Sequence, residues 1–398
     1  MSRKLPDWID SFLELTDNSE PPHSYRLWTA ISVLAAVMKR KCKFNWGPLV
    51  FYPNMYIILV GPAGRCRKGT AMSVGQKFLT ELGIKVAAEA VTREALIREL
   101  KSSIENTMMP DGTISLDSSL TVFSKELTVF LGVNNAQMLS DLTDWFDCAD
   151  KWVYRTKTQG TDEIMGVWVN LIGATTPELI QTALPRDAIG GGLTSRMIFV
   201  YAEKRGKLVP APFITPKEAE LWGQLRQDLD HILLLKGEFK ATPKFVDRYI
   251  EWYIYQANNP PFKSEVFSGY IERRATHLLK LCMILSASRG DSMIIDVEDL
   301  ERASTFLEDV EKTMPRVFSG VGKSDLASTV SRVLVMLETK KSATLAELCE
   351  RFHQDADYDT MQRVIATLEG MGAIVVSIKG PGSVGKIISM NPEFCLKS

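Results

Sequence analysis

Gly61-Pro-Ala-Gly-Arg-Cys-Arg-Lys-Gly-Thr70 is the stretch that decides the fold of this chain, because its residues are typical of a phosphate-binding loop. The apolar run Met55-Tyr-Ile-Ile-Leu-Val60 precedes it and predicts a buried strand, and residues 71–82 after it have helical character. A glycine-containing turn between a strand and a helix directs backbone N–H groups at a polyphosphate, while a lysine reaches the terminal phosphates. The sequence therefore predicts a nucleotide site here.

The spacing within this loop departs from the usual G-x-x-x-x-G-K-[ST] pattern. Lys68 lies seven positions after Gly61, Arg67 replaces the second glycine, and Gly69 stands where a serine or threonine would bind magnesium. Thr70 comes one position late, and we expect it to contribute to a Mg²⁺ site. The alternative is a solvated basic turn. The residues expected around the phosphates of ATP are Gly61, Gly64, Arg67, Lys68, Gly69 and Thr70.

Composition limits the kind of protein that this chain can be. Its 398 residues exceed what one hydrophobic core usually organises, so two or three domains are expected. A formal net charge of −1 means that nucleic acid would have to bind to local basic patches. The six cysteines include no C-x-x-C pair and the four histidines are scattered, which disfavours structural zinc. The polar start and short apolar runs predict a reduced, cytoplasmic protein without a signal peptide or membrane span.

Four regions follow one another along the chain. Residues 1–45 have the pattern of a helical segment, and residues 46–210 that of an α/β core with an ATPase loop. Residues 211–320 are again helical in pattern, and residues 325–398 have three helices followed by a β-hairpin, the order of a winged helix-turn-helix. Strands of the core are predicted at 55–60, 120–124, 167–173 and 197–202, with hairpin turns at 110–113 and near 159–160.

Residues at the predicted strand ends have the chemistry of ATP hydrolysis, which needs a carboxylate to position water, a polar contact to the γ-phosphate and a positive charge. Glu126 closes one strand, and we expect it to orient the water and to complete the Mg²⁺ site, although Ser124 stands where an aspartate is common. Thr175 ends another strand at the sheet edge where ligands bind. Arg196, between a glycine-rich turn and a buried strand, suits a charge presented to a neighbouring copy; a structural ion pair is the alternative.

Basic residues elsewhere suggest further contacts with nucleotide and nucleic acid. Arg273 and Arg274 lie on a predicted helix that could cover the nucleotide, unless that helix face is simply solvated. Arg155 and Lys157 alternate with Tyr154 on the second hairpin, which suits a nucleic-acid backbone.

The C-terminal region has a thin positive footprint. Its third helix offers Arg363, and its hairpin offers Lys379 and Lys386. These residues are expected to contact duplex DNA, as recognition helices and wings do in helix-turn-helix modules. Docking of a protein is the alternative.

Four runs of the sequence resemble, in this order, the helicase-type ATPase family found in phage and prophage replication modules. The resemblance covers about residues 6–320 and implies that a lengthened loop before the lysine is tolerated. The runs are Asp7-Trp-Ile-Asp with Leu27-Trp-Thr-Ala-Ile-Ser, Tyr52-Pro-Asn-Met-Tyr-Ile-Ile-Leu-Val-Gly-Pro-Ala-Gly, Gly173-Ala-Thr-Thr-Pro, and Gly191-Gly-Leu-Thr-Ser-Arg-Met.

A second resemblance rests on shorter motifs. The Ser195-Arg196 element, the helical segment with its two arginines and the C-terminal module are similar to minichromosome-maintenance helicases of the AAA+ class. This resemblance implies an arginine finger at Arg196, a lid arginine at Arg273 or Arg274, and a pore hairpin that contains Lys157.

The sequence thus predicts an AAA+/RecA-like P-loop NTPase core with a helical N-terminal segment, a helical lid and a C-terminal winged helix-turn-helix. The expected function is ATP hydrolysis coupled to DNA translocation or unwinding by a homo-oligomeric ring in the replication of a mobile element. ATP and Mg²⁺ are the expected cofactors, and single-stranded or duplex DNA and replication proteins the expected partners. The alternatives are a nucleotide-switched DNA-binding regulator or helicase loader, and a scaffold that binds nucleotide without turnover.

Overall fold

The computed structural model describes residues 2–132, 135–156, 160–184, 192–318, 325–353, 356–378 and 386–391. The chain forms two compact units, Met1–Ser319 and Gly320–Ser398. The helices of the first unit are α1 (Trp8–Leu15), α2 (His23–Met38), α3 (Lys68–Glu81), α4 (Arg93–Ser102), α5 (Leu127–Leu131), α6 (Ala136–Phe146), α7 (Pro177–Ala183), α8 (Pro216–Leu234), α9 (Pro243–Asn258), α10 (Ser268–Arg289) and α11 (Val297–Glu311). Its strands are β1 (Cys42–Trp46), β2 (Leu49–Phe51), β3 (Tyr56–Val60), β4 (Ile104–Met108), β5 (Ile114–Ser124), β6 (Lys151–Thr156), β7 (Gly160–Met165), β8 (Val167–Thr175), β9 (Met197–Tyr201), β10 (Gly237–Ala241) and β11 (Ile294–Ile295).

The main sheet of the first unit has the strand order β4-β5-β8-β3-β9. Strands β5, β8, β3 and β9 are parallel, and β4 pairs antiparallel with β5 through the predicted turn at 110–113. Every residue of β3 and of β8 is buried. Strands buried on both faces are continuous apolar runs, which is why all four parallel strands were predictable from the sequence.

The N-terminal segment is part of the same core. Helix α2 is buried along nearly its whole length and contacts β3, β8 and β9 as well as α3, α8 and α10. Gly75 permits the close approach of α3, because a Cβ there would lie 2.6 Å from a methyl of Thr29 and 2.9 Å from one of Val33. The segment 1–45 therefore packs as the inner layer of the first unit.

A second sheet, of order β11-β10-β1-β2, joins distant parts of the first unit. Cys42 of β1 pairs with Gly237 of β10 in parallel register. The sequence predicted residues 211–320 to be helical, and the helices α8 to α11 agree, but β10 and β11 were missed. Both strands are short, and Glu238 and Lys240 remove the apolar run that would have revealed β10.

The C-terminal unit follows the predicted order of three helices and a hairpin, with one additional short strand. The predicted capping box is present: Thr344 Oγ1 accepts from the Glu347 N–H, and Glu347 Oε2 accepts from the Thr344 N–H. The antiparallel sheet has the order β12-β14-β13, and the side chains between sheet and helices form an apolar core. The elements are α12 (Asp325–Lys340), β12 (Ser342–Thr344), α13 (Leu345–Arg351), α14 (Tyr358–Gly370), β13 (Ile374–Ile378) and β14 (Lys386–Met390).

In the part of the chain that the structure describes, no helix combines the length and the hydropathy that a membrane span requires.

A buried lysine ties α10 to the start of the central strand. Lys280 donates through Nζ to Asn54 Oδ1, which also accepts from the thiol of Cys148. The ammonium lies 4.3 Å from the centre of the Phe146 ring. Because burial penalises the charged form, the pKa of Lys280 falls to about 8, with the Cys148 thiol opposing the shift.

The buried Lys280 makes stability depend on alkaline pH. Its folded-state pKa lies below its unfolded value, so its cost is fully present below about pH 8 and disappears as the pH rises toward about 10.5. Between about pH 7.5 and 9.5 the wild type should gain about 2 kcal/mol of unfolding free energy relative to Lys280→Met. Tryptophan fluorescence during urea titration measures this in the full chain, because all eight tryptophans lie within the first unit. Parallel pH profiles of the two proteins would contradict the prediction.

Candidate phosphate-binding site

The loop between β3 and α3 joins the end of a buried strand to the start of a helix, and its backbone is tightly constrained. Gly61 can only be glycine, since a Cβ would lie 2.6 Å from the Tyr25 hydroxyl and closer still to the Ala202 carbonyl oxygen. Gly64 has a φ of +70°, and Arg67, directly before α3, has a φ of 55°. An ion pair of 2.6 Å from Arg67 Nε to Glu20 Oε2 holds this left-handed residue. The loop thus turns the start of a 14-residue helix toward the end of a buried strand.

Lys68 is the first residue of α3 and folds back over the loop. Its Nζ donates to the Gly61 carbonyl at 2.5 Å and to the Pro62 carbonyl at 3.3 Å. Partial burial lowers the pKa of Lys68, while the Cys66 thiol and the carboxylates of Glu126 and Glu178 oppose the shift. An ammonium that is partly desolvated and held only by carbonyl oxygens can transfer to a stronger anionic partner, such as a phosphate.

The carboxyl ends of the other parallel strands meet at the same edge as the loop. The Gly61 N–H donates to the Thr175 carbonyl at 3.3 Å, which fixes the loop to the end of β8. Thr175 is buried, and the side chain of Thr176 caps α7. Glu126 is exposed two residues beyond the end of β5, directly before α5. The sheet therefore brings Lys68, Glu126 and Thr175 to one edge, as the sequence predicted.

The residues at this edge do not fit the usual magnesium shell. Gly69 is the second residue of α3, where the phosphate-loop motif has its hydroxyl, and it offers no side-chain oxygen. The residue at the end of β5 that reaches α3 is Lys125, whose Cδ lies 4.0 Å from the Cβ position of Gly69. Ser124, which stands where an aspartate is common in this motif, is buried, and its hydroxyl has no hydrogen-bond partner among the described residues. The Mg²⁺ site at Thr70 and Glu126 stays a prediction.

Arg196 and Arg273 lie at the opposite edge of the sheet. Arg196 directly precedes β9, whose first residue pairs with the first residue of β3. Asp147 accepts from Arg196 Nη2 at 2.5 Å and from Arg273 Nη1 at 3.4 Å. Because the five residues of β3 span about 16 Å, neither guanidinium is beside the phosphate loop of its own chain.

Arg274 has the position of a structural residue. Its guanidinium binds Glu311 through two bonds of 2.7 and 2.9 Å, and both side chains are almost fully buried. Tyr270 donates to the same carboxylate at 3.0 Å. The prediction that Arg274 contacts nucleotide is therefore not supported by its surroundings, because the fold already uses its charge.

Sequence reasoning missed an arginine that does lie near the loop. Arg316, in the short 3-10 helix Met314–Phe318, is 3.6 Å from Glu203, just beyond the end of β9. Its charge also acts on Tyr201, the last residue of β9, whose pKa is raised by burial and then by Glu203. No motif marks Arg316, because it follows the last helix of the segment as a single charge.

In the second hairpin, β6–β7, the aromatic side chains are covered by the protein, whereas the sequence predicted that basic and aromatic side chains would be exposed together. Trp152 stacks on Tyr154, and the guanidinium of Arg93 covers the Tyr154 ring at 4.6 Å. Arg93 also pairs with the buried carboxylate of Asp141. The aromatic face is thus occupied by the protein itself, whereas Arg155 lies on the exposed face. Lys157 lies outside the described residues.

In the C-terminal unit, Arg363 and Lys386 line one groove between α14 and the hairpin. Asp359 and Glu369 line the same groove, so its charges are mixed. Arg363 is exposed and donates to the Thr360 hydroxyl at 3.2 Å. Lys379 lies outside the described residues.

No protein-family model matches this chain, and a search of curated proteins finds no match either. The resemblance drawn from the sequence motifs is therefore a hypothesis that rests on the residues quoted for it.

The two neighbouring arginines of α10 should differ sharply in their effect on stability. Arg274→Met leaves the Glu311 carboxylate buried with a single phenol donor, and should lower the unfolding free energy by about 3–5 kcal/mol. Arg273→Met removes a partly exposed pair and should cost less than about 1 kcal/mol. Urea unfolding followed by tryptophan fluorescence measures both. Similar losses in the two variants would contradict the structural role of Arg274.

Proposed function

We propose that the first unit is a P-loop NTPase of the AAA+/RecA-like class that binds and hydrolyses ATP. The observation that carries the proposal is Lys68, partly desolvated at the start of α3, within electrostatic reach of Glu126 across the sheet edge. Strand β8 lies between β3 and β5, so the loop and Glu126 are about 10 Å apart in the plane of the sheet. That separation accommodates a γ-phosphate and an attacking water.

Each residue of the loop edge has a role in this proposal. The amides of the loop and of the first turn of α3 bind the phosphate oxygens, and Lys68 neutralises the terminal phosphates. Glu126 orients the water, and Thr175 is the polar contact beside the γ-phosphate. Among the arginines of residues 211–320, Arg316 is better supported than Arg273 or Arg274 as a charge near the nucleotide, because it lies beside the end of β9. Besides Lys68, the loop residues that surround the phosphates in this proposal are Gly61, Gly64, Arg67, Gly69 and Thr70.

We propose a homo-oligomeric ring in which Arg196 acts on the neighbouring copy. Its distance from its own loop favours a role in trans over one in cis. For this role Arg196 must leave Asp147. The Arg196 side chain is only 8 % exposed while it is bound to Asp147, whose side chain is half-exposed. Arg273, on the same carboxylate and more exposed, is available to take Asp147 when Arg196 leaves.

DNA contact belongs to basic residues of two regions in this proposal. Arg155 lies on the exposed face of the second hairpin, and Arg363 and Lys386 are exposed in the C-terminal unit. Lys157 and Lys379, which the sequence predicts to contact DNA as well, lie outside the described residues. The order of elements in that unit, three helices and a hairpin, supports a winged helix-turn-helix. The mixed charges around Arg363 support a weak contact with duplex DNA, or the alternative of protein docking. The role in mobile-element replication rests on the sequence resemblance alone.

Substitutions of Lys68 and Glu126 should separate binding from hydrolysis. Lys68→Ala should abolish measurable ATP binding, because the loop loses its only side-chain ammonium. Glu126→Gln should bind ATP normally but hydrolyse it at least about 100-fold more slowly, a loss of about 2.7 kcal/mol of transition-state stabilisation. Titration calorimetry and phosphate release measure the two effects.

Lys217→Ala is the matched control for Lys68→Ala, because Lys217 is a solvated lysine on α8 whose ammonium pairs with Glu14. Unchanged ATP affinity in Lys68→Ala would overturn the nucleotide site. A loss of turnover below about threefold in Glu126→Gln would assign the water to another residue.

A nucleotide-switched DNA-binding regulator or helicase loader is the second candidate function. It is favoured by the residues at the two positions that usually hold the metal, because Gly69 replaces the serine or threonine and Ser124 replaces the aspartate. Binding without rapid turnover suits a switch, whereas translocation needs repeated hydrolysis.

The exposed face of the second hairpin should couple DNA to the ATPase. Single-stranded DNA should stimulate phosphate release by the wild type, and Arg155→Ala should reduce that stimulation while basal turnover stays unchanged. Trp152 is unsuited as a probe, since it packs against Trp145 in the core. Unwinding of a forked duplex during ATP hydrolysis distinguishes the helicase from the switch. Equal stimulation of Arg155→Ala and the wild type would remove the hairpin from the DNA path.

A further inference from the structure

The stem of Lys125 occupies a defined place beside the phosphate loop. Strand β5 turns Phe123 toward α3, where its ring lies 3.6 Å from the Cβ position of Gly75. Alternation along the strand brings Lys125, two residues later, to the same face. Its Cδ lies 4.0 Å from the Cβ position of Gly69, so the stem of the lysine lies against the first turn of α3.

Gly69 and Lys125 both affect how positive charge reaches the phosphates at this loop. Gly69 lacks the hydroxyl that would hold a divalent cation, and the stem of Lys125 lies against this residue, with its ammonium beside Glu89. An ammonium beside a polyphosphate forms charge-assisted hydrogen bonds, so a second lysine that reaches the phosphates can supply positive charge that the missing hydroxyl would have supplied through a metal.

The present partner of Lys125 does not prevent this role. Its ammonium is 4.0 Å from Glu89, and the side chains are 38 % and 60 % exposed. Such a long, solvated pair contributes little and is weakened by salt. A triphosphate bound at the loop offers more negative charge than one carboxylate, so the ammonium would exchange Glu89 for phosphate oxygens.

We propose that Lys125 supplies the positive charge that Mg²⁺ supplies in phosphate loops with a serine or threonine after the lysine, so that this site binds a nucleoside triphosphate free of metal. The proposal rests on the nucleotide site proposed above and names the ionic form of its ligand. Lys68 and Lys125 then flank the phosphates from the helix and from the end of β5.

Binding of ATP with and without metal tests the proposal directly. Titration calorimetry of the full chain should give dissociation constants in EDTA and in excess Mg²⁺ that agree within about threefold, a difference below about 0.7 kcal/mol. Lys125→Ala should weaken binding in EDTA by at least about tenfold. Lys125→Gln keeps the length of the side chain and should lose the same affinity, which separates charge from packing. Lys217→Ala, which removes a solvated lysine that pairs with Glu14, should bind as the wild type does.

A reciprocal variant should restore dependence on metal. Gly69→Ser adds a hydroxyl on a Cβ that meets nothing closer than Lys125 Cδ at 4.0 Å, and Lys125→Asp adds a carboxylate just after β5. The double variant should bind ATP weakly in EDTA and at least about tenfold more tightly in Mg²⁺.

The outcomes distinguish this inference from the proposed function. Wild-type protein that binds ATP in Mg²⁺ but at least about tenfold more weakly in EDTA would overturn the role of Lys125 and keep the nucleotide site. Lys125→Ala and Lys125→Gln that bind like Lys217→Ala in EDTA would also overturn it. Wild-type protein that binds no ATP in either buffer would overturn the nucleotide site itself.

Discussion

The complete burial of β3 is the constraint on which the rest of the first unit depends. Its five residues are apolar or have their one polar group satisfied, and strands β8 and β9 pair with it on either side. No charged group can be placed along such a strand without a large desolvation cost. Charged and catalytic groups are therefore confined to the two ends of the strand. Even the last carbonyl of β3 has a buried donor, because the Tyr25 hydroxyl donates to the Val60 carbonyl at 2.7 Å.

The two ends of the sheet differ in how their charges are satisfied. At the amino edge, Lys280 is buried and bound to Asn54, and Arg196 is buried and bound to the half-exposed Asp147. At the carboxyl edge, Lys68 is held only by loop carbonyls, and Glu126 and Lys125 are open to solvent. A buried charge that leaves its protein partner does so at a cost, which Arg196 can meet only if Arg273 stays with Asp147. Charges that are exposed or only weakly held can take up a ligand at little cost to the fold, so the carboxyl edge is where chemistry is to be sought.

Sequence reasoning succeeded where the signal is local and failed where it is distant. The buried strands, the loop and the Thr344 capping box are written in neighbouring residues, and all were found. The pairing of β1 with β10 joins residues nearly 200 positions apart and leaves no local trace. The ion pair between Arg274 and Glu311 was missed for the same reason. From the sequence alone Arg274 is a basic residue on a helix, and nothing near it in the chain indicates its partner. The aromatic face of the second hairpin was misjudged because alternation gives two faces but does not tell which one is covered.

The identity of the residue after β5 links the fold to the choice between the two proposed functions. A metal ion both neutralises phosphates and holds their oxygens in a fixed geometry, whereas a lysine on a flexible stem supplies charge with less geometric restraint. Hydrolysis at this site would then depend more heavily on Glu126 for alignment of the water. A translocating ring needs that alignment at every step, while a switch needs only that the triphosphate be bound and eventually released. If Lys125 replaces the metal completely, the site therefore favours a slow nucleotide-dependent switch over a translocating ATPase.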